Sequence, residues 1–492
     1  MKLKINRFAI FSFTILTLVL LYSGCKNQIN PEDIILQIPA EASDYKIDSF
    51  PPSNYGYLIY DISENRVVKA HNSKKSFIPA SITKLFTAIY ALENFKKEAN
   101  FETEILYTGK IKDNQLNGNL YLKGSGDPSL TISELIELVK QLKAKGIKQI
   151  EGSFFYDESL FPSKNMIDES MSPEARYNTG LSALNLNNNL VYSVQLKNNE
   201  GRVTGYSIMP PNNLHSTRRY SGFPTYRPIK FSSNSNREIW AFPEKGIIPR
   251  QQLPVKNPAL FTAWTFKQIC KIHGITIPDP KAGIAPSKTK KIALSKSTNI
   301  STIIRDMLHS SNNTTAELIA TTSIIKATGE YKNSMEPIED FYKKRFTQID
   351  WADFHLENGS GLTSTGRVTP EQAAAILIYA DKKMLHEKEA DFYLPLSGFE
   401  GTMTARMDSP DAAMRVYAKT GNIFFASALT GFFYANSGKK YIFSIFISDI
   451  EKRKSLDSKN GGTQSQIQEA VLWTSSSTNA IDRFIIENIK KL

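Results

Sequence analysis

Three short motifs occur in a fixed order along the chain, and the length of chain between the first two restricts how it can fold. Ser-Ile-Thr-Lys lies at 81–84, Ser-Asn-Asn at 311–313 and Lys-Thr-Gly at 419–421. Together they supply a hydroxyl nucleophile, an amine base, a second hydroxyl that can relay protons and a cationic strand that can hold a carboxylate. Ser311 follows Ser81 by 230 positions, and a chain of 492 residues exceeds what one hydrophobic core usually organises, so two or three domains are expected.

The first motif is predicted to begin a helix that follows a β-hairpin. Segments 57–60 and 67–70 flank turn-forming residues, and apolar residues then recur with helical spacing at 82, 85, 86 and 89. Ser81 and Lys84 therefore share one helix face, where a lysine that is buried near other cations can be neutral and accept the serine proton. Ser-x-x-Lys also occurs elsewhere in the chain, so this motif alone identifies no site.

The second motif has two registers, because Ser310, Ser311, Asn312 and Asn313 form two overlapping Ser-x-Asn patterns. This polar run precedes an apolar helical pattern, so it can also cap a helix. Capping and catalysis are compatible here. We assign Ser311 and Asn313 to the motif, in the register of the family described below.

The third motif ends a strand-like segment at 415–418, and further strand patterns follow at 428–434 and 441–447. This arrangement predicts the edge of an antiparallel sheet. Lys419 and Thr420 on such an edge can hold a terminal carboxylate, and Gly421 allows a substrate backbone to approach closely. Taken alone, the motif is equally compatible with a solubilising lysine at a sheet edge.

The N-terminus has the pattern of an export signal. Basic residues precede an apolar run at 8–22 that is short for a membrane span, and the run ends in Leu-Tyr-Ser-Gly-Cys at 21–25. This ending resembles a bacterial lipoprotein cleavage site, which predicts lipidation of Cys25; Tyr22 departs from the usual leucine. Simple secretion and an uncleaved anchor are the alternatives. The other cysteine, Cys270, lies in a helix-like apolar stripe and is predicted to be a buried, inert thiol.

Composition argues against several other functions. The net charge of +12 comes from scattered lysines and arginines without an Arg-rich or aromatic-interleaved patch, so we expect no nucleic-acid partner. The six histidines show no metal-ligand spacing, and there is no Gly-x-Ser-x-Gly elbow of a Ser-His-Asp hydrolase. No metal or cofactor is therefore expected.

Taken together, the motifs resemble the low-molecular-mass penicillin-binding proteins of the D-alanyl-D-alanine carboxypeptidase/endopeptidase type, in the branch with a large insertion in the transpeptidase domain. The resemblance runs from about 51 to 447 and includes family landmarks at 118–128, 182–189, 358–362 and 367–370. It implies an α+β fold, with a penicillin-binding-protein/β-lactamase-like antiparallel sheet flanked by helices and with inserted strand-rich domains. The implied layout is an export signal at 1–25, a catalytic domain at 45–97 and 296–492, inserted domain II at 98–190 and 254–295, and nested domain III at 191–253.

The resemblance implies acyl transfer from peptidoglycan stem peptides that end in D-Ala-D-Ala, with β-lactams as covalent inhibitors. Ser81 would attack the carbonyl between the two alanines and Lys84 would accept its proton. Ser311 with Lys419 would pass a proton to the leaving amine. Backbone N–H groups of Ser81 and Asn422 would hold the oxyanion, and water would hydrolyse the acyl-enzyme.

Further positions concern recognition of the substrate. The resemblance implies that Asn313 holds the substrate amide and orients Lys84, while Thr420 with Gly421 binds the carboxylate. Asp157 matches an acidic residue that in relatives faces the ammonium of the stem peptide's diamino acid; a surface turn is the alternative role. Relatives often carry an arginine after Gly-Leu, where this chain has Thr-Ser at 363–364.

Two other functions remain open from the sequence. A serine β-lactamase would share the acylation residues, but the long insertion does not suit that compact family. A non-catalytic peptidoglycan-binding envelope protein would keep the fold without needing the intact motifs. The signal predicts export to the bacterial cell envelope, in the periplasm, with membrane attachment through the N-terminal lipid or signal anchor.

Overall fold

The computed structural model describes residues 31, 34, 36–38, 46–47, 49–221, 228–234, 237–457 and 463–492. The predicted export signal with Cys25 lies outside these ranges. Within them, no helix is both long and apolar enough to cross a membrane. The strands are β1 (Tyr55–Asp61), β2 (Arg66–His71), β3 (Glu102–Tyr107), β4 (Lys110–Lys112), β5 (Gln115–Asn117), β6 (Leu120–Lys123), β7 (Gln149–Ile150), β8 (Phe154–Asp157), β9 (Leu190–Lys197), β10 (Val203–Met209), β11 (His215–Tyr220), β12 (Lys230–Asn234), β13 (Arg237–Pro243), β14 (Gln252–Pro254), β15 (Pro280–Ala282), β16 (Lys290–Lys296), β17 (Val416–Ile423), β18 (Ala426–Tyr434) and β19 (Lys440–Ser448). The α-helices are α1 (Thr83–Asn94), α2 (Ile132–Ala144), α3 (Pro258–Ile272), α4 (Ile300–Ser310), α5 (Asn313–Thr328), α6 (Glu336–Arg345), α7 (Pro370–Lys383), α8 (Ile450–Asp457) and α9 (Gln464–Lys491).

The central sheet joins strands from the two ends of the chain. Its order is β17-β18-β19-β1-β2, and every neighbouring pair is antiparallel. The predicted hairpin is confirmed as β1 and β2, and the predicted strands after the Lys-Thr-Gly motif are confirmed as β18 and β19. The motif itself lies on β17, an edge strand of this sheet.

Helices cover both faces of this sheet because its strands are apolar on both sides. Phe432 and Phe446 belong to a core that also contains residues of α1 and of α4 to α7. Their strand neighbours Phe433 and Ile445 pack on the opposite face, against the C-terminal helix α9. Side chains alternate across a strand, so a continuous apolar run supplies both cores. The predicted amphipathic final helix is confirmed, with an apolar stripe of Ile481, Phe484, Ile485 and Ile489.

The chain between β2 and β17 builds additional sheets. One is five-stranded, β15-β8-β6-β3-β16, and three are three-stranded, β10-β9-β14, β11-β13-β12 and β4-β5-β7. A separate core under these sheets includes Leu138, Phe154 and Phe266. β3 pairs antiparallel with β16, and Glu102 lies opposite Lys296. The α+β fold is therefore confirmed, whereas the domain boundaries given above remain a prediction.

Cys270 lies on α3 within that second core. Its side chain is fully buried, and burial raises the pKa of the thiol well above its ordinary value. A thiol that stays protonated at physiological pH is a poor nucleophile. The prediction that Cys270 is buried is confirmed, and its lack of reactivity stays a prediction.

Candidate active site

Ser81 lies in a strained turn immediately before α1, a helix buried in the core on one face of the central sheet. Ala80–Ile82 form one 3-10 turn that continues directly into α1, so the predicted helix begins slightly irregularly. Ala80 has a positive φ of 45°, and Ile82 donates its N–H to Pro79 O. A non-glycine residue in this conformation stores strain and is typical of functional sites. The turn fixes the direction in which the Ser81 hydroxyl leaves the backbone.

Lys84 lies one turn further along α1 and is completely buried. Its Nζ donates to Ser81 Oγ at 2.9 Å, to Asn313 Oδ1 at 2.7 Å and to Ser360 O at 2.7 Å. Loss of hydration disfavours the ammonium and lowers the pKa of Lys84 to about 7, although Glu317 acts in the opposite direction. A large fraction of this amine is therefore neutral near pH 7 and can accept the Ser81 proton.

Glu317 is a buried carboxylate that the sequence analysis did not assign to the site. It lies on α5, and its two oxygens accept the N–H groups of Ser360 at 2.8 Å and Gly359 at 3.1 Å. Burial raises the pKa of this carboxyl, while Lys84 favours its charged form. Glu317 thereby fixes the loop whose Ser360 carbonyl binds Lys84. Its position four residues after Asn313, on the same helix face, was the available signal.

Ser311 and Lys419 form the second half of the site. Ser311 links α4 to α5 in a left-handed conformation with φ of 54°. Lys419 is completely buried, and its Nζ donates to Ser311 Oγ and to Thr420 O, both at 2.8 Å. Burial, together with the charges of Lys84 and Arg406, holds the pKa of Lys419 well below its ordinary range. Both predicted serines thus have a lysine amine as a hydrogen-bond partner.

The edge of β17 passes close to the Ser81 turn. A Cβ on Gly421 would lie 2.6 Å from Pro79 O, so glycine permits this approach. Ala418 donates its N–H to Pro395 O, on the edge facing away from β18. Because successive amides of a strand point to opposite edges, the N–H groups of Thr420 and Asn422 leave on that same edge. Thr420 Oγ1 also donates to Thr402 Oγ1 at 3.1 Å.

A cleft of about 790 Å³ opens above these residues. Ser81, Ser311, Asn313 and Asn422 line it, so the cleft brings together predicted residues of the first two motifs and the residue that follows the third. The remaining lining residues come from 170–177, 361–362, 423–424, 453–457 and Thr474.

Asp157 is not brought to this cleft. It is 2% exposed, on β8, and its two carboxylate oxygens accept the backbone N–H groups of Ser159 at 3.0 Å and Ala285 at 2.9 Å. It is therefore neither the surface aspartate of one prediction nor a lining residue of the cleft. Ser364 donates to Asp457 Oδ2 at 2.6 Å, and Asp457 forms an ion pair with Arg453, which lines the cleft.

The arrangement defines a class of protein: serine enzymes that transfer acyl groups through two serine–lysine pairs at the edge of an antiparallel sheet, to which penicillin-binding proteins and serine β-lactamases belong. A profile of the D-Ala-D-Ala carboxypeptidase 3 (S13) family matches residues 41–468. The chain belongs to this family and is an enzyme of its class, so the resemblance drawn from the motifs is confirmed.

Individual relatives agree with this assignment. D-alanyl-D-alanine carboxypeptidase DacB of Haemophilus influenzae is 26% identical over 423 residues, which cover 80% of this chain and 85% of the relative. D-alanyl-D-alanine carboxypeptidase of Actinomadura sp. is 24% identical over 417 residues, 77% of this chain and 74% of the relative. The fold is similar to the crystal structure of penicillin binding protein 4 from Haemophilus influenzae, with a TM-score of 0.68 at 24% identity over 86% of this chain and 96% of that one.

Proposed function

We propose that the chain cleaves the terminal D-Ala-D-Ala bond of peptidoglycan stem peptides, or the equivalent bond of crosslinks, through an acyl-enzyme on Ser81. The observation that carries the proposal is the position of Lys84, whose buried amine contacts both Ser81 Oγ and Asn313 Oδ1. A base within hydrogen-bond distance of the nucleophile, with a pKa near the working pH, is what general-base catalysis requires. The relatives named above are D-alanyl-D-alanine carboxypeptidases.

In the acylation step, neutral Lys84 takes the proton of Ser81 as the hydroxyl attacks the peptide carbonyl. The N–H groups of Ser81 and Asn422 are assigned to the oxyanion, because both residues line the cleft and the Asn422 N–H points away from β18. Electrostatic stabilisation of this kind acts strongly where water is excluded. The buried lysines favour the negative charge that develops on the substrate.

Collapse of the tetrahedral intermediate requires a proton on the leaving amine of D-alanine. Ser311 Oγ is placed to donate it, because Lys419 can replace that proton across their 2.8 Å hydrogen bond. Thr420 and the amine of Lys419 are assigned to the terminal carboxylate. Asn313 Nδ2 donates one hydrogen to Tyr177 O and has a second for the substrate amide. In deacylation, the attacking water gives a proton through Ser311 to Lys419, and Lys84 returns its proton to Ser81 Oγ as the ester bond breaks, which regenerates both serine–lysine pairs.

Covalent inhibition by β-lactams follows from the same chemistry, because the strained lactam carbonyl takes the place of the peptide carbonyl. A solved structure of penicillin binding protein 4 from Haemophilus influenzae, similar to this chain with a TM-score of 0.66, is complexed with a novel β-lactam. We also propose that the enzyme acts in the bacterial cell envelope, in the periplasm, after export by the signal at 1–25. Attachment through lipidated Cys25 is part of this proposal.

The experiment compares muropeptides before and after incubation with purified wild type and the Ser81→Ala variant. Mass spectrometry separates the loss of one alanine from a pentapeptide from the cutting of a crosslinked dimer. Either change in wild type, absent from the variant, is the expected result. Unchanged muropeptides together with rapid, repeated nitrocefin hydrolysis would favour a β-lactamase. Absence of any penicilloylation of wild type would favour the non-catalytic envelope protein.

A further inference from the structure

The free edge of β17 is covered, just before the third motif, by a loop that carries none of the motifs. We call residues 395–402 the bridging loop. Ser397 of this loop donates its N–H to Val416 O at 2.8 Å. Ala418 in turn donates its N–H to Pro395 O at 3.1 Å. The bridging loop therefore runs along the edge of the strand immediately before Lys-Thr-Gly.

The bridging loop also packs on the end of α4, the helix that leads into the second motif. Arg305 Nη2 donates to Glu400 Oε1 at 3.0 Å. A Cβ on Gly401, where φ is 49°, would lie only 2.2 Å from His309 O, so the loop and the helix are in close backbone contact. His309 precedes Ser311 by two residues. The bridging loop is thus held between the second and the third motif.

Thr402 ends the bridging loop, and its hydroxyl contacts the hydroxyl of Thr420. Thr420 Oγ1 donates to Thr402 Oγ1 at 3.1 Å, and Thr420 is 7% exposed, so water has little access to this bond. Among the residues that the structure describes, Thr402 Oγ1 donates no hydrogen bond in return. A hydroxyl has one hydrogen and two acceptor positions, so the hydrogen of Thr402 remains available.

Binding of a carboxylate requires this pair of hydroxyls to exchange roles. In the function proposed above, on which this step rests, Thr420 binds the carboxylate of the leaving D-alanine. A carboxylate only accepts hydrogen bonds, so the Thr420 hydrogen must turn from Thr402 towards it. The hydroxyl of Thr402 can then donate to Thr420 Oγ1 across the same contact, which keeps the buried oxygen paired. The exchange is a rotation of two hydroxyl groups and breaks no covalent bond.

We propose that Thr402 is a positioning residue for recognition of the substrate carboxylate. When substrate binds, the Thr402 hydroxyl donates to Thr420 Oγ1 and so directs the Thr420 hydrogen at the carboxylate. Thr402 does not line the cleft, so it acts through Thr420 without touching the substrate. The close packing of Gly401 on α4 and the ion pair of Glu400 hold it in place. The class of ligand is a peptide or β-lactam with a free carboxylate beside the bond that is cleaved.

The test is a double-mutant cycle at Thr402 and Thr420 in the full chain. Release of D-alanine from a muropeptide pentapeptide gives kcat and KM, and a fluorescent penicillin gives the acylation rate of variants that turn over slowly. Thr402→Val keeps the shape of the side chain without its hydroxyl, and it is expected to lower kcat/KM about tenfold, chiefly through KM. Thr402→Ser restores kcat/KM to within about threefold of wild type, because it returns the hydroxyl. In the Thr420→Val background, Thr402→Val changes either rate by less than about twofold, because the partner hydroxyl is already absent.

The matched control is Thr404→Val, because Thr404 lies two residues further on and its Oγ1 donates to Gly401 O at 3.0 Å instead. It is expected to retain kcat and KM, and thermal unfolding of every variant is measured in parallel. An unchanged KM in Thr402→Val, an equal loss in the Thr420→Val background, or a loss as large in Thr404→Val would overturn the role of Thr402. Failure of the proposed function gives a different result: wild type would release no D-alanine from the pentapeptide, whereas the cycle measured with penicillin would still report on Thr402.

Discussion

Replacing Gly361 with alanine is expected to disable the nucleophile without removing any catalytic group. Gly361 has φ of 73°, and a Cβ built there lies 1.8 Å from Ala80 O and 2.7 Å from Thr83 Oγ1. Real Cβ atoms essentially never approach other heavy atoms within 3.0 Å. The backbone immediately before Ser81 must therefore move by roughly 1 Å, and a displacement of about that size costs on the order of 100-fold in rate.

A matched control is available at Gly438, where φ is 84° and a Cβ would meet nothing within 4 Å. Gly438→Ala carries the same backbone strain of roughly 1–2 kcal/mol but no overlap. It is expected to lower the free energy of unfolding by about that amount and to acylate at the wild-type rate. Gly361→Ala combines the same strain with a steric overlap between the new Cβ and Ala80 O, next to Ser81.

The assay is the second-order rate constant for acylation by a fluorescent penicillin, measured well below the unfolding midpoint of each variant. Circular dichroism gives the midpoints. We expect Gly361→Ala to acylate about 100 times more slowly than Gly438→Ala. Acylation of Gly361→Ala within about threefold of wild type would refute the reasoning, because the turn would then tolerate a displacement that the geometry does not allow. Equal slowing of both glycine variants would refute it as well.

Three further results are expected. The rate of Ser81 acylation should rise with pH through about 7, because Lys84 accepts a proton only as the neutral amine and its pKa is about 7; a pH profile of the acylation rate checks this. Glu317→Gln should move that rise to lower pH, because the variant lacks the negative charge that favours protonated Lys84. An unmoved profile would contradict the influence of Glu317 on the pKa of Lys84. Asp157→Asn should leave pentapeptide turnover unchanged while lowering the free energy of unfolding by about 1–3 kcal/mol, measured by urea titration, since its oxygens accept two backbone N–H groups away from the cleft.

Local patterns predicted the elements that carry the motifs. The alternation and turn residues around 57–70 predicted the β1–β2 hairpin, and the helical spacing after Pro79 predicted α1. The sequence did not predict the positive φ of Ala80, whose carbonyl oxygen lies close to Gly361 of a distant loop. The order of the motifs predicted which residues come together, but it did not predict the strained backbone conformation beside Ser81.

Residues whose role depends on long-range contacts were not predictable in this way. Glu317 occupies one polar position in a buried helix, and its function follows only from the loop at 359–360 that packs on it. Asp157 has the residue type for an ammonium partner, yet tertiary contacts turn its carboxylate towards backbone amides. Tyr177 lies in a segment without periodicity, and its carbonyl accepts from Asn313, a residue far away in the sequence.

The pairing of β1 with β19 has a consequence for the order in which the chain folds. Tyr55 lies opposite Ile447, so the catalytic sheet cannot close until nearly the whole polypeptide is available, and closing so long a loop slows folding. The pairing of β3 with β16 shortens that path, because it brings Glu102 and Lys296 side by side. Once the interval between them has collapsed onto its own core, it acts as a short connection within the flanking chain. The pairing of β3 with β16 therefore offsets much of the loop-closure cost that the insertion would otherwise add to assembly of the central sheet.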